Sequence, residues 1–195
     1  MSETTPQDRC AAASSHTATK YTSLRTTALS FINAQSHNPS LPSKMDFESL
    51  RQLTTPSYTH SFGPAYSVSR APKLQGSFTI ESFIEHLGGM IPNLESWDVE
   101  VKGCVVDEVG ESVVVRAGYG IQVKGAEEKI ENDVVWWLEL EEGAKGGEAG
   151  EGEGGGGWKV RKSTEMVDAG AAGRIMEEVM RQTGGGRKDP AAVAE

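Results

Sequence analysis

Apolar residues recur at helical spacing in three stretches between residues 21 and 88 and then, after Pro92, alternate with polar ones. Leu24, Ala28, Phe31 and Ile32 form one stripe, which predicts an amphipathic helix over 21–35. The NPSLPS stretch at 38–43 breaks it. Asp46 is a plausible N-cap for a second helix whose stripe is Phe47, Leu50 and Leu53, with Pro56 marking its end. TPSYTHSFGP (55–64) reads as a short extended segment and 65–76 as loop. A third helix is expected over 78–88, capped by Ser77, with Phe78, Phe83, Ile84 and Leu87 inward and Gly88-Gly89 as its stop. After Pro92 the period is two. Strands are expected over 96–107, 111–123, 131–142 and 158–167, joined by hairpin-length links into an antiparallel meander. Asp168 then opens a last helix over 168–182.

Helices first and strands afterwards mean an α+β fold. The mid-strand glycines Gly103, Gly118 and Gly120 suggest that the sheet bends. A bent sheet wrapped on helices makes a cone-shaped barrel with an apolar interior. Residues 1–20 and 183–195 lack large apolar groups and are expected as disordered tails around one domain at 21–182. The Gly/Glu-rich run at 143–157 reads as a flexible hairpin connection and lacks the strand, turn and helix of a phosphate loop.

Charge and cysteine content narrow the function classes. A net charge of -9 across 195 residues, with no basic stripe, argues against nucleic-acid binding. No apolar run approaches the roughly 20 residues of a membrane helix. Cys10 and Cys104 form neither a disulfide framework nor a zinc pattern, and the N-terminus lacks a signal-peptide core. The expectation is a soluble cytoplasmic protein. There is no His-x-x-x-His, no G-x-S-x-G elbow and no strand-G-x-G-x-x-G-helix unit.

Three segments carry a family likeness: THSFGP after the second helix, the strand ENDVVWWLEL, and the junction STEMVDAGAAGRIMEEV. Together and in this order, across roughly 21–182, the chain resembles the nuclear transport factor two-like, or SnoaL-like, superfamily. It is most similar to the fungal natural-product type. Two departures stand out: Asp133 occupies a position where the relatives usually carry Glu, and the glycine insertion is unusual. The resemblance implies helices packed on a strongly curved antiparallel sheet. It also implies acid/base chemistry without a cofactor or metal, as in isomerases, cyclases and dehydratases of polyketide and terpenoid metabolism. A non-catalytic ligand- or protein-binding module of the same fold is the alternative.

Such chemistry needs His, Asp, Glu or Tyr in apolar surroundings that bring their pKa values toward neutrality. His60 lies in an extended segment between Tyr58 and Phe62, which share its face. Asp133 shares a strand face with Val135, Trp137 and Glu139, while Asn132, Val134, Trp136 and Leu138 share the other. Residue pattern leaves both faces open as the pocket side, and only the resemblance favours the Asn-Asp pair as pocket-lining. His86 edges the third helix's inward stripe or caps its end. Glu165 has the opposite parity to Trp158, Val160 and Met166 and so reads as exposed; the family-like ending keeps it as a candidate. Arg116 either pairs with Asp133 or Glu165 or anchors substrate. Tyr58, Phe62, Phe83, Arg116, Tyr119 and Trp137 are the expected contacts to a hydrophobic small molecule. Trp136 and Trp137 must face opposite sides of the sheet, and an outward indole needs cover, which a homodimer would supply.

Overall fold

The computed structural model describes residues 6–143 and 157–184, with side chains from residue 20 onward. Helix α1 runs Pro6–Asn33, so it begins well ahead of the expected residue 21; Ala11, Ala12 and Ala13 are strong helix formers in that upstream part. Residues 1–5 and 185–195 of the expected tails, and 144–156 of the glycine-rich connection, lie outside the described residues. Helix α2 (Phe47–Leu53) is capped by Asp46, whose carboxylate accepts from the Ser49 amide at 2.9 Å.

Strand β1 follows at once (Thr54–Gly63). The expected loop at 65–76 instead holds a short helix α3 (Ala65–Ser69) and a 3-10 turn (Pro72–Leu74). Helix α4 (Ile80–Met90) starts two residues later than expected, with Thr79 as its cap. Phe78 is drawn out of that helix by an isolated antiparallel bridge, in which its amide and carbonyl pair with those of His60 at 2.8 Å. Gly88 and Gly89 do not stop α4. Leu87 is buried, the Ile91 amide still donates to its carbonyl, and a 3-10 turn (Ile91–Asn93) containing Pro92 ends the run.

Strands β2 (Leu94–Asp107), β3 (Ser112–Val123), β4 (Ile130–Glu142) and β5 (Trp158–Val167) form the expected antiparallel meander. Strand β1 completes the sheet by pairing parallel to β5, giving the order β1-β5-β4-β3-β2. Helix α5 (Ala169–Gln182) leaves β5 at Asp168, whose carboxylate caps its first turn. It reaches back to the β3–β4 turn, where the Gln182 amide donates to the Gly125 carbonyl at 3.1 Å.

The sheet is curved and unclosed, and the curvature has visible causes. Pairing registers slip at Glu95 and Lys102 in β2, at Arg161 in β5, and between Thr54 and Thr59 in β1. Each slip leaves residues unpaired and bends the strand. The concave face closes on α1: Leu24, Ala28, Phe31 and Ile32 are fully buried against Val113, Val115, Trp136, Leu138 and Val160. Each Val, Leu, Ile or Phe side chain so buried stabilises the fold by roughly 1.5–3 kcal/mol. No helix among the described residues is long and apolar enough to cross a membrane.

Candidate active site

The slip at Arg161 decides what the cone contains. Glu139 pairs with Lys162 and Leu140 with Val160, so Arg161 has no partner across the ladder. Arg161 and Lys162 both turn outward, where they hold the two oxygens of Glu139 at 2.8 and 3.0 Å. Alternation restarts one residue out of phase. Val160 points inward before the slip; Ser163 and Glu165 point inward after it. Glu165 is therefore inside the cone, with 14 % of its side chain exposed, and not on the outer face that uninterrupted parity assigns.

His60 comes from the neighbouring strand and is fully buried. Its ring lies 4.1 Å from Phe83, 4.5 Å from Phe62 and 5.8 Å from Trp136, between centroids. Nδ1 is 2.8 Å from Ser163 Oγ, which is 2.6 Å from the Tyr58 hydroxyl. Nε2 has no hydrogen-bond partner and faces Glu165 Oε2 at 3.7 Å. The order of protons along this chain follows from satisfaction. If Tyr58 donates to Ser163 and Ser163 to Nδ1, every buried hydroxyl proton has an acceptor and the imidazole proton sits on Nε2. The reverse order leaves the Tyr58 proton with none among the described residues.

Burial sets the electrostatics. It alone pushes the Glu165 carboxyl up to about 8. Burial, reinforced by nearby His86, pushes His60 down to about 3. At neutral pH the imidazole is thus an uncharged donor, and the carboxyl is a base poised near its own pKa. The donor and the base thus converge, with Nε2 and Oε2 3.7 Å apart.

The other expected site residues divide. Phe62 and Tyr119 are half-buried on the concave side, where Phe62 pairs with Glu165 across the β1–β5 ladder and the Tyr119 hydroxyl accepts from Trp136 Nε1. Tyr58 and Phe83 are closed behind His60 and hold the imidazole instead of meeting a ligand. His86 stands one aromatic layer away, 5.3 Å from the Phe62 ring and 5.8 Å from Phe78; burial, then Lys73, lowers its pKa.

Asp133, Arg116 and Trp137 are corrected. On β4 the buried parity is Ile130, Asn132, Val134, Trp136 and Leu138, which sends Asp133 and Trp137 to the outer face. There Asp133 accepts both Arg116 Nε and Nη2, the cross-sheet pairing that the sequence offered for Arg116. The guanidinium holds the Asp133 carboxyl below its ordinary value, as an ionised surface group. Asp133→Asn is accordingly expected to leave any proton-transfer activity unchanged; a large loss of rate in that variant would show this placement to be wrong.

Ser163 was missed as a site residue. Nothing in a lone strand serine signals that it bridges a tyrosine to a histidine from another strand. Of the Asn-Asp pair that the resemblance offered as pocket-lining, only Asn132 lies on the buried parity of β4. A polar depression of about 610 Å³ lined by Asn33, His37, Asp46, Ser49 and Gln52 shares no residue with the His60 cluster. No group of three or more His, Cys, Asp or Glu suited to a metal ion occurs among the described residues.

No family model and no curated protein matches the sequence. Solved structures do match the fold. PrhC from Penicillium brasilianum is 16% identical with a TM-score of 0.60, over 85% of this chain and 92% of that one. BvnE pinacolase from Penicillium brevicompactum is 14% identical with a TM-score of 0.60, over 85% and 94%. A protein from Jannaschia sp. CCS1 described as a SnoaL-like polyketide cyclase is 14% identical with a TM-score of 0.53, over 90% and 96%. The chain has the SnoaL-like cone fold expected from its sequence.

Proposed function

We propose that this protein is an acid/base enzyme of the isomerase, cyclase or dehydratase kind, acting on a neutral hydrophobic molecule of polyketide or terpenoid origin. The observation that carries this reading is the buried His60–Glu165 pair, with Nε2 unpartnered and the carboxyl unneutralised. A binding module has no need of two convergent titratable groups, whose burial costs stability. Neighbours in fold described as a pinacolase and a polyketide cyclase support the substrate class.

In the proposed step the ionised Glu165 removes a proton from the carbon beside a carbonyl. His60 Nε2–H hydrogen-bonds the oxygen as it gains negative charge. Glu165, now a carboxylic acid, returns the proton to a different carbon or to a departing hydroxyl. The charge moves from carboxylate to enolate and back, and His60 stays neutral throughout. Neutral imidazole suits this role because burial keeps it from taking up a second proton, so Nε2–H donates without the ring becoming charged.

The test needs no knowledge of the natural substrate. Wild-type protein is incubated with 4-phenylcyclohexanone and a panel of other neutral cyclic ketones in D2O. Loss of the proton signals beside the carbonyl is followed by NMR. Exchange above buffer is expected, with kcat/KM rising about tenfold per pH unit and levelling above about 8, where Glu165 is ionised. Exchange no faster than that of a His60→Phe/Glu165→Gln double variant, across the whole panel, sinks the proposal.

The outer sheet face supports a homodimer within the same proposal. Val105, Val114 and Trp137 lie side by side on adjacent strands, with Val105 69% and Trp137 49% exposed. A second copy would cover this row.

A further inference from the structure

We infer that Ser163 is a positioning residue: its hydroxyl, driven by Tyr58, locks the His60 proton on Nε2, so that His60 and Glu165 cannot pair with each other and both stay open to a ketone. This rests on the acid/base reading of that pair.

One slip in β5 places both neighbours of the imidazole. Ser163 and Glu165 are two residues apart beyond Arg161, so both point inward, and Ser163 pairs directly with His60 across the β1–β5 ladder. Ser163 Oγ meets Nδ1 at 2.8 Å, while Glu165 stands 3.7 Å from Nε2. From behind, the Tyr58 hydroxyl reaches Ser163 Oγ at 2.6 Å. Tyr58 is 2% exposed and His60 and Ser163 are fully buried, so solvent does not reach this chain.

The lock has a fixed polarity because it starts at a proton with one place to go. Burial raises the Tyr58 hydroxyl above its ordinary value, so it keeps its proton, and Ser163 Oγ is its acceptor. Ser163 then gives its own proton to Nδ1. The opposite tautomer, Nδ1–H, leaves the Ser163 proton buried without an acceptor. At neutral pH most of the buried Glu165 carboxyl carries its proton. A bare Nε2 would bond that proton or take it, and base and donor would be spent on each other. With Nε2 already protonated the two stay 3.7 Å apart and Nε2 has no partner.

Nitrogen-15 labelling of histidine reads the lock directly. In a neutral imidazole the bare nitrogen resonates well downfield of the protonated one, and His60→Phe identifies the His60 signals by their loss. Wild-type protein at pH 7 is expected to show Nε2–H and a bare Nδ1. Ser163→Thr and Ser163→Val share one shape and differ in a hydroxyl. Threonine is expected to keep the tautomer and to hold exchange of 4-phenylcyclohexanone within about fivefold of wild type. Valine is expected to move the proton to Nδ1 and to lower kcat for exchange about 10²-fold, as for loss of the donor itself, with KM within about twofold. Tyr58→Phe keeps the ring, frees Ser163 Oγ to accept from Nδ1–H, and is expected to show both tautomers; it supplies the reading if the valine variant does not fold. Nε2–H as the sole form in both Ser163→Val and Tyr58→Phe overturns the inference, as does Nδ1–H or imidazolium in wild type. A threonine variant that behaves as valine does also overturns it. Tautomers as expected, but with no exchange in wild type or full exchange in Ser163→Val, leave the lock standing and overturn the acid/base reading alone.

Discussion

Glu165→Gln is expected to slow proton exchange about a thousandfold and, at the same time, to make the folded protein more stable in alkali. The first effect is within the 10²–10⁴ range for removing a positioned base. The second follows from burial. Below about pH 4.5 the carboxyl is protonated whether the chain is folded or not. As pH rises, the unfolded chain's carboxyl ionises near 4.5, while the folded one holds its proton until about 8. Across that window the folded state binds more protons, so stability falls as pH rises and is level again above about 8. The total is about 4–5 kcal/mol at 1.36 kcal/mol per pH unit. Glutamine has the shape of the neutral acid and no such slope. Urea unfolding of both proteins at pH 4 and pH 9 checks this: near-equal at pH 4, with the variant well ahead at pH 9. A wild type whose stability is unchanged from pH 5 to 8 would mean that Glu165 is not held uncharged. His60 acts in the opposite direction on the acid side. Its folded value of about 3 against 6.5 means that stability is lost as pH falls from 6.5 toward 3. The two slopes offset each other between about pH 4.5 and 6.5, which is where this pair leaves the fold most stable.

His60→Phe is the second large effect. Phenylalanine fills the space among Phe62, Phe83 and Trp136 that the imidazole occupies, so the core keeps its volume. What disappears is the Nε2–H donor. Removing one preorganised donor to a developing oxyanion costs about 10²–10³ in rate, and this is the drop expected in the ketone exchange assay. The Ser163 hydroxyl also loses its acceptor, at a cost of about 1–3 kcal/mol for a buried group left unpaired. His60→Gln distinguishes the two contributions, because its side-chain amide restores a donor near the same place. Partial recovery of rate with Gln, and none with Phe, is the expected pattern. Full rate in His60→Phe would remove the imidazole from the mechanism.

The sheet was legible because alternation survives wherever one face is buried. The stripe Val113, Val115 and Ala117 faces inward just as its spacing predicts. His60 was legible for a related reason: Tyr58 and Phe62 at two-residue spacing mark its inward face. Glu165 was not, since counting parity from Val160 places it outside, and only the extra residue at Arg161 turns it in. Nothing in WKVRKSTEMV announces that slip beyond two successive basic residues. Asp133 was misplaced because both faces of β4 are apolar in the middle, and sequence period cannot separate a buried face from one merely covered. The parallel seam between β1 and β5 was equally hidden, since its partners are about a hundred positions apart in sequence.

One small bond has a practical use for anyone working with this molecule. The Gly143 amide donates to the Gly157 carbonyl at 3.1 Å, closing the β4–β5 hairpin where the described strands end. Glu165 is eight residues beyond Gly157, about 26 Å along the strand at 3.3 Å per residue. Each doubling of the connecting length costs only about 0.6 kcal/mol. A fluorescent reporter or affinity handle inserted between Gly143 and Gly157 is therefore joined to strand ends remote from the His60–Glu165 pair.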